Sequence, residues 1–206
     1  MISVFDMFSI GIGPSSSHTV GPMKAAKLFS DLLISKNLLD NVDRVKTELF
    51  GSLGQTGIGH GTGKAIILGL SGETPEDIPV DSIESIVSEV IANQKISLAG
   101  THVVDFPKDN AIIYHRRKSL PAHANGMTLY AYQNESLILE QTYYSIGGGF
   151  IVEASEFEKE KDKALSLHTS IKRPHLFSSA DELLKEALQS GLSISTIMMN
   201  NEKCLN

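Results

Sequence analysis

Cysteine is almost missing from this chain: Cys204 is the sole one in 206 residues. That excludes an internal disulfide framework. It also excludes a cysteine-built metal or cluster site within the chain, since such a site takes about three or four thiolates. No apolar run reaches the roughly 18 residues of a membrane-crossing helix. The opening "MISVFDMFSIG" has no positive segment ahead of its apolar stretch, so it does not read as a signal peptide. Positive charge is short as well: 18 Lys and Arg stand against 24 Asp and Glu, a net charge of −6. No basic surplus is there to neutralise phosphates, so nucleic acid is excluded as a partner. A cytoplasmic protein is expected. What is present is ordinary for a soluble globular chain, 41% hydrophobic and 20% charged, long enough for one core or one domain with an appendage.

The pattern along the chain is mixed. Residues 1–10 read as a short apolar strand or helix. A helix is predicted from about Val20 to Ser35, with Pro22 tolerated in its first turn. "VDRVKTELF" alternates Val45, Thr47 and Leu49 with Lys46 and Glu48, as a strand does. "GSLGQTGIGHGTGKAIILGLSG" reads as a glycine-rich loop feeding a buried helix from about Thr62 to Leu70. Ile83, Ile86, Val87 and Val90 recur at helical spacing. From Lys95 to Val152 the texture is β, with hairpin turns expected at "PKDN" and at "NE", and "GGGFIVEA" as a last strand. These elements predict an α+β fold, an antiparallel sheet packed against helices. Residues 1–154 then form one domain and 155–177 a charged linker. Residues 178–206 form two helices that begin a further helical domain, the first with Ser179 and Glu182 at capping-box spacing and Gly191 at its end. The second helix has Ile194, Ile197, Met198 and Leu205 to bury.

Four stretches carry candidate chemistry. Ser15, Ser16, Ser17, His18 and Thr19 crowd just before a helix, whose unpaired N–H groups and dipole favour an anion. Gly11 and Gly13 let the backbone approach closely. His60 stands among Gly57, Gly59, Gly61 and Gly63, sterically open and ahead of a helix that disfavours imidazolium, which suits a general base. His123 and Asn125 in "LPAHANGM" offer an imidazole and an amide to one point. Ser145 and Gly147, Gly148 and Gly149 in "YYSIGGGF" suggest close backbone approach to a ligand, or an anion nest. Each also has a purely structural reading: a helix cap, a loop histidine, a turn, a strand corner. His102, His115, His168 and His175 read as structural or surface residues. Two nucleotide motifs fail. Gly11 and Gly13 are followed by Ser16, and around Lys64 the P-loop positions hold Ile58 and Ala65. Lys64 lacks the phosphate cup of a pyridoxal phosphate lysine, so that cofactor is not expected.

"FSIGIGPSSSHTVGPM", "GSLGQTGIGHGTGKAIILGL", "LPAHANGM" and "YYSIGGGFIVE" together resemble the N-terminal, beta part of the bacterial iron–sulfur L-serine dehydratases of the single-chain type, from about Phe5 to Cys204. That family is similar in its N-terminal fold to the substrate-binding regulatory domain of some phosphoglycerate dehydrogenases. The resemblance implies conversion of L-serine to pyruvate and ammonia. It implies a [4Fe–4S] cluster as Lewis acid, held by cysteines of a C-terminal domain that is absent here, on the same polypeptide or a separate subunit. No metal ligand is expected in this chain, which is expected to be inactive alone and to form a homodimer. His60 is the implied base. Ser15, Ser16, Ser17, His18 and Thr19 would hold the carboxylate, with help from Ser145 and Gly147–Gly149, while His123 and Asn125 orient the amino or hydroxyl group. The alternative expectation is a non-catalytic module that binds L-serine or another small anion.

Overall fold

In the computed structural model the chain is described over residues 11–157 and 174–204, which fall into two compact units. The apolar opening at 1–10, most of the linker, His168 and Leu205 lie outside the described residues.

In the larger unit, helix α1 (Gly21–Ser35) begins with Pro22 in its first turn, where a missing N–H costs nothing. Met23, Ala26, Phe29, Ser30 and Leu33 bury one face, and Lys27 reaches Asp31 at 2.6 Å on the outer side. Asn37, at φ 54, turns the chain out of the helix. Strand β1 (Arg44–Phe50) buries Val45, Thr47 and Leu49 and leaves Lys46 and Glu48 on its outer face, the alternation expected of a half-buried strand. The "GSLGQT" segment is not loop but a short helix, α2 (Gly51–Thr56). It starts at Gly51 with φ +57, a position where a Cβ would lie 2.1 Å from the Ala124 carbonyl oxygen. Helix α3 (Thr62–Leu70) buries nearly every residue and packs on α1. Helix α4 (Ile83–Asn93) buries Val87 and Val90.

The remaining strands are β2 (Lys95–Leu98), β3 (His102–Asp105), β4 (Ile112–Tyr114), β5 (Asn125–Gln133), β6 (Ser136–Gly147) and β7 (Phe150–Glu153). They join β1 in one sheet of order β2-β3-β1-β5-β6-β7, with β4 beside β1. The fold is α+β, as expected. The β5–β6 hairpin turns at Asn134 and Glu135, both at positive φ, as a two-residue turn of type I′ requires.

The expected hairpin at "PKDN" does not form. β3 and β4 do not pair with each other; each runs parallel to β1, Arg44 against Asp105 and Thr47 against Ile112. The physical reason lies in the turn. The N–H groups of Asn110 and Ala111 both donate to the Pro107 carbonyl, at 3.2 and 2.9 Å, so 107–111 is a helical turn that carries the chain onward rather than reversing it. The partner of β3 is β2, through a turn at Ala99 and Gly100, both at positive φ.

In the smaller unit, Ser179 Oγ caps helix α5 (Ala180–Ser190) by accepting the Glu182 N–H, and Gly191 ends it at φ 68. The reciprocal half of the capping box is displaced by one residue: Glu182 accepts from the N–H and Oγ of Ser178. Helix α6 (Ile194–Glu202) buries Ile197 fully, but Ile194 and Met198 stay 45% and 38% exposed, against expectation. The contact between the two helices covers one of the three side chains and leaves the other two partly exposed. His175 is structural: its ring meets Glu186 at 2.6 Å, and Asn201 bonds its N–H and its carbonyl.

Candidate functional site

The serine cluster folds as a wide turn. Ser15 Oγ accepts the His18 N–H at 3.3 Å, and the Ser15 carbonyl accepts from both Thr19 and Val20. Residues Ser16–Val20 form a single π-helical turn that runs into α1. Such turns are rare and concentrate at functional sites. The junction is tight, since a Cβ on Gly21 would sit 2.1 Å from Ser145 Oγ and 3.0 Å from Ser145 Cβ.

His60 lies in the turn between α2 and α3. Its backbone N–H and its ring Nδ1 both bond the Thr56 carbonyl, at 3.3 and 3.0 Å. A carbonyl only accepts, so Nδ1 carries the proton and the lone pair of the neutral ring sits on Nε2. That is the tautomer a base needs at its free end.

The two turns are tied to each other reciprocally. Thr19 Oγ1 donates to the His60 carbonyl at 2.9 Å, and Thr62 Oγ1 donates to the His18 carbonyl at 2.6 Å. Both threonines are buried. The imidazoles of His18 and His60 consequently lie 4.8 Å apart, centre to centre, at 42°. Thr62 was not foreseen, and its spacing gives no signal: it stands two residues after His60, whereas Thr19 directly follows His18.

His18 is the more enclosed ring. Its Nδ1 meets Ser17 Oγ and its Nε2 meets Ser52 Oγ, each at 2.9 Å. Burial, and secondarily the neighbouring His60, hold its pKa below the ordinary value, opposed by hydrogen bonding at Ser52. Ser16 is exposed.

The other two stretches join the same end of the sheet. The Ser52 N–H donates to the Ala124 carbonyl at 2.8 Å. His123 Nδ1 accepts the Asn125 N–H at 3.1 Å, and Asn125 Nδ2 donates to the Ser145 carbonyl at 3.0 Å. Ser145 is fully buried, and its Oγ has no partner among the described residues. Gly147, Gly148 and Gly149 make the β6–β7 turn, all at positive φ. Beside the His60 turn lies a cavity of about 370 Å³, whose walls include Gly13, Pro14, Thr19, Gly59 and Gly61, roomy enough for a small carboxylic acid.

No group of three or more possible metal ligands occurs among the described residues, and Cys204 is exposed. No described helix is long and apolar enough to cross a membrane.

Comparison with known proteins gives a consistent set. The model of the family described as "Serine dehydratase beta chain" matches residues 3–156. The L-serine dehydratase of Streptomyces coelicolor is 51% identical over 98% of this chain. L-serine dehydratase 1 of Escherichia coli is 47% identical over the whole chain, and the L-serine dehydratase of Helicobacter pylori is 36% identical over 98% of it. The chain spans 44% of the length of the first two relatives and 43% of the third.

Proposed function

Because this chain belongs to the serine dehydratase beta chain family, we propose that it is the N-terminal part of an L-serine dehydratase, supplying the base and the carboxylate-binding groups for conversion of L-serine to pyruvate and ammonia. The observation that carries this reading is the reciprocal threonine tie, which sets the lone pair of His60 beside the polar turn at the head of α1. In this reading residues 1–154 bind substrate and 155–177 link onward. Residues 178–206 begin a helical catalytic domain, in a cytoplasmic homodimer.

The chemistry follows from the residues. Within Ser15–Thr19 the hydroxyls of Ser15 and Ser16 meet the substrate carboxylate, one such charge-assisted bond contributing about 1.5–3 kcal/mol, whereas Thr19 Oγ1 and the His18 ring are committed to protein partners. His60 Nε2 accepts the α-proton, and the Thr56 carbonyl stabilises the imidazolium that forms through its bond to Nδ1–H. His123, through its Nε2, and Asn125, through its Oδ1, face the amino or hydroxyl group. Ser145, fully buried against Gly21, is out of reach of a ligand and supports the turn that leads into α1. The [4Fe–4S] cluster that the family resemblance implies does not fit the described residues, which hold no ligand trio for it. The resemblance puts the ligands of that cluster outside this chain, where it would supply the Lewis acid for loss of the hydroxyl group.

The test is His60→Ala in an enzyme preparation that contains this chain and consumes L-serine. Turnover is expected to fall by roughly 10²–10⁴, with unchanged absorbance of any cluster. Undiminished turnover removes His60 from the base role. A second reading is favoured by that same missing ligand trio: a module that binds L-serine or another small anion without performing chemistry. It predicts calorimetric binding of L-serine to this chain and undiminished turnover in the His60 variant.

A further inference from the structure

We propose that His18 is a positioning residue for the base and that Ser52, a residue the sequence does not single out, is its anchor; the inference rests on the reading of His60 as that base. An imidazole has two polar atoms, and both of those on His18 are engaged, one by Ser17 Oγ and one by Ser52 Oγ. No ring atom of His18 is left for a substrate carboxylate. What the ring does offer is its face, 4.8 Å from His60.

Helix α2 holds both rings. Ser52 and Thr56 stand four residues apart, one turn of the same helix, and Thr56 Oγ1 donates to the Ser52 carbonyl at 2.9 Å. Ser52 Oγ binds His18 from one level of this turn, and the Thr56 carbonyl binds His60 from the next. Ser52 is itself fixed by its N–H bond to Ala124. The helix therefore sets two imidazoles side by side from a single rigid element. His60 is half-buried, with Nδ1 as its one anchored ring atom, so it retains freedom to swing about that bond. The face of His18 is the wall that limits the swing and keeps Nε2 aimed. Removing the Ser52 hydroxyl frees the His18 ring, and the wall goes with it.

The experiment uses long-range ¹⁵N–¹H spectra of the histidine rings in this chain. The His18 Nε2 signal in the wild type is expected to show a hydrogen-bonded nitrogen. In Ser52→Ala it is expected to shift as that partner is lost, and the His60 ring signals shift with it; Ser52→Thr, which keeps the hydroxyl, restores both. His102, whose Nε2 donates to the Val42 carbonyl at 2.7 Å, keeps its signals in a folded variant and serves as the fold control. In a preparation consuming L-serine, Ser52→Ala lowers kcat by about tenfold with KM little changed, since small misplacement of a reacting group is costly. Ser52→Thr recovers the loss. Unmoved His60 signals in a folded Ser52→Ala chain overturn the proposal, as does a kcat loss that Ser52→Thr fails to recover. If the wild type consumes no L-serine, the functional reading falls, and the ring signals still decide whether Ser52 anchors the pair.

Discussion

Adding one methyl group at Gly69 is expected to push α1 and α3 apart. A Cβ built there lies 2.2 Å from the Met23 carbonyl oxygen, 2.8 Å from Ala26 Cβ and 3.0 Å from the Lys27 nitrogen. Two of these three atoms belong to backbone, so no rotamer change relieves the contact. The helices must separate by about 1 Å, which strips dispersion contacts along a close-packed seam. Overpacking of this kind costs about 1–3 kcal/mol. Alanine is the better helix former by about 1 kcal/mol, which opposes the loss. The net expectation for Gly69→Ala is a destabilisation of about 1–2 kcal/mol, read as a melting temperature lower by roughly 2–8 °C for a chain of this size. Gly59→Ala is the control. There a Cβ meets only the Thr56 carbonyl oxygen, at 3.6 Å, and its φ is not positive. It should be neutral, or stabilising by about 0.4–1 kcal/mol through the unfolded state. Thermal and urea melts followed by circular dichroism measure both. A Gly69→Ala protein as stable as the wild type, or more so, refutes the argument, because helix propensity alone would then have decided the outcome.

Gly21→Ala is expected to destabilise, because turning Ser145 Oγ aside still leaves Ser145 Cβ at 3.0 Å. Ser145→Ala alone breaks no hydrogen bond and should change stability by less than about 1 kcal/mol. Combined with Gly21→Ala it should recover part of the loss, a coupling of at least about 0.5 kcal/mol in a double-mutant cycle; strict additivity would refute the contact. His18, held below its ordinary 6.5 chiefly by burial, adds a pH dependence of known sign. Just below pH 6.5 the unfolded chain binds a proton that the folded chain resists, so His18 lowers stability as pH falls through that window and has no such effect above it. Urea midpoints measured from about pH 8 to about pH 5 should therefore drop more in the wild type than in His18→Gln; equal drops would show that His18 titrates alike in both states.

Residue pattern alone determined much of this protein. The alternation in β1, the buried helix Thr62–Leu70, and the Asn134–Glu135 turn follow from side-chain periodicity and turn chemistry, which act over a few residues. The polar cluster at Ser15–Thr19 and the open His60 were visible because runs of such residues have few structural uses. Three things were decided only by contacts distant in sequence. Helix α2 begins at a positive-φ glycine wedged against Ala124, some seventy residues away, so its local composition reads as loop. The direction of β4 depended on the free edge of β1, which β3 and β4 share, Thr47 donating to the Ala111 carbonyl at 2.7 Å. The pairing of the two histidines depended on which atoms Thr19, Thr62 and Ser52 meet, and of these three Thr62 and Ser52 carry no mark in the sequence until the fold places a partner opposite them. Periodicity tells a segment which face to bury; which atom then meets a given hydroxyl is settled when distant segments close on one another.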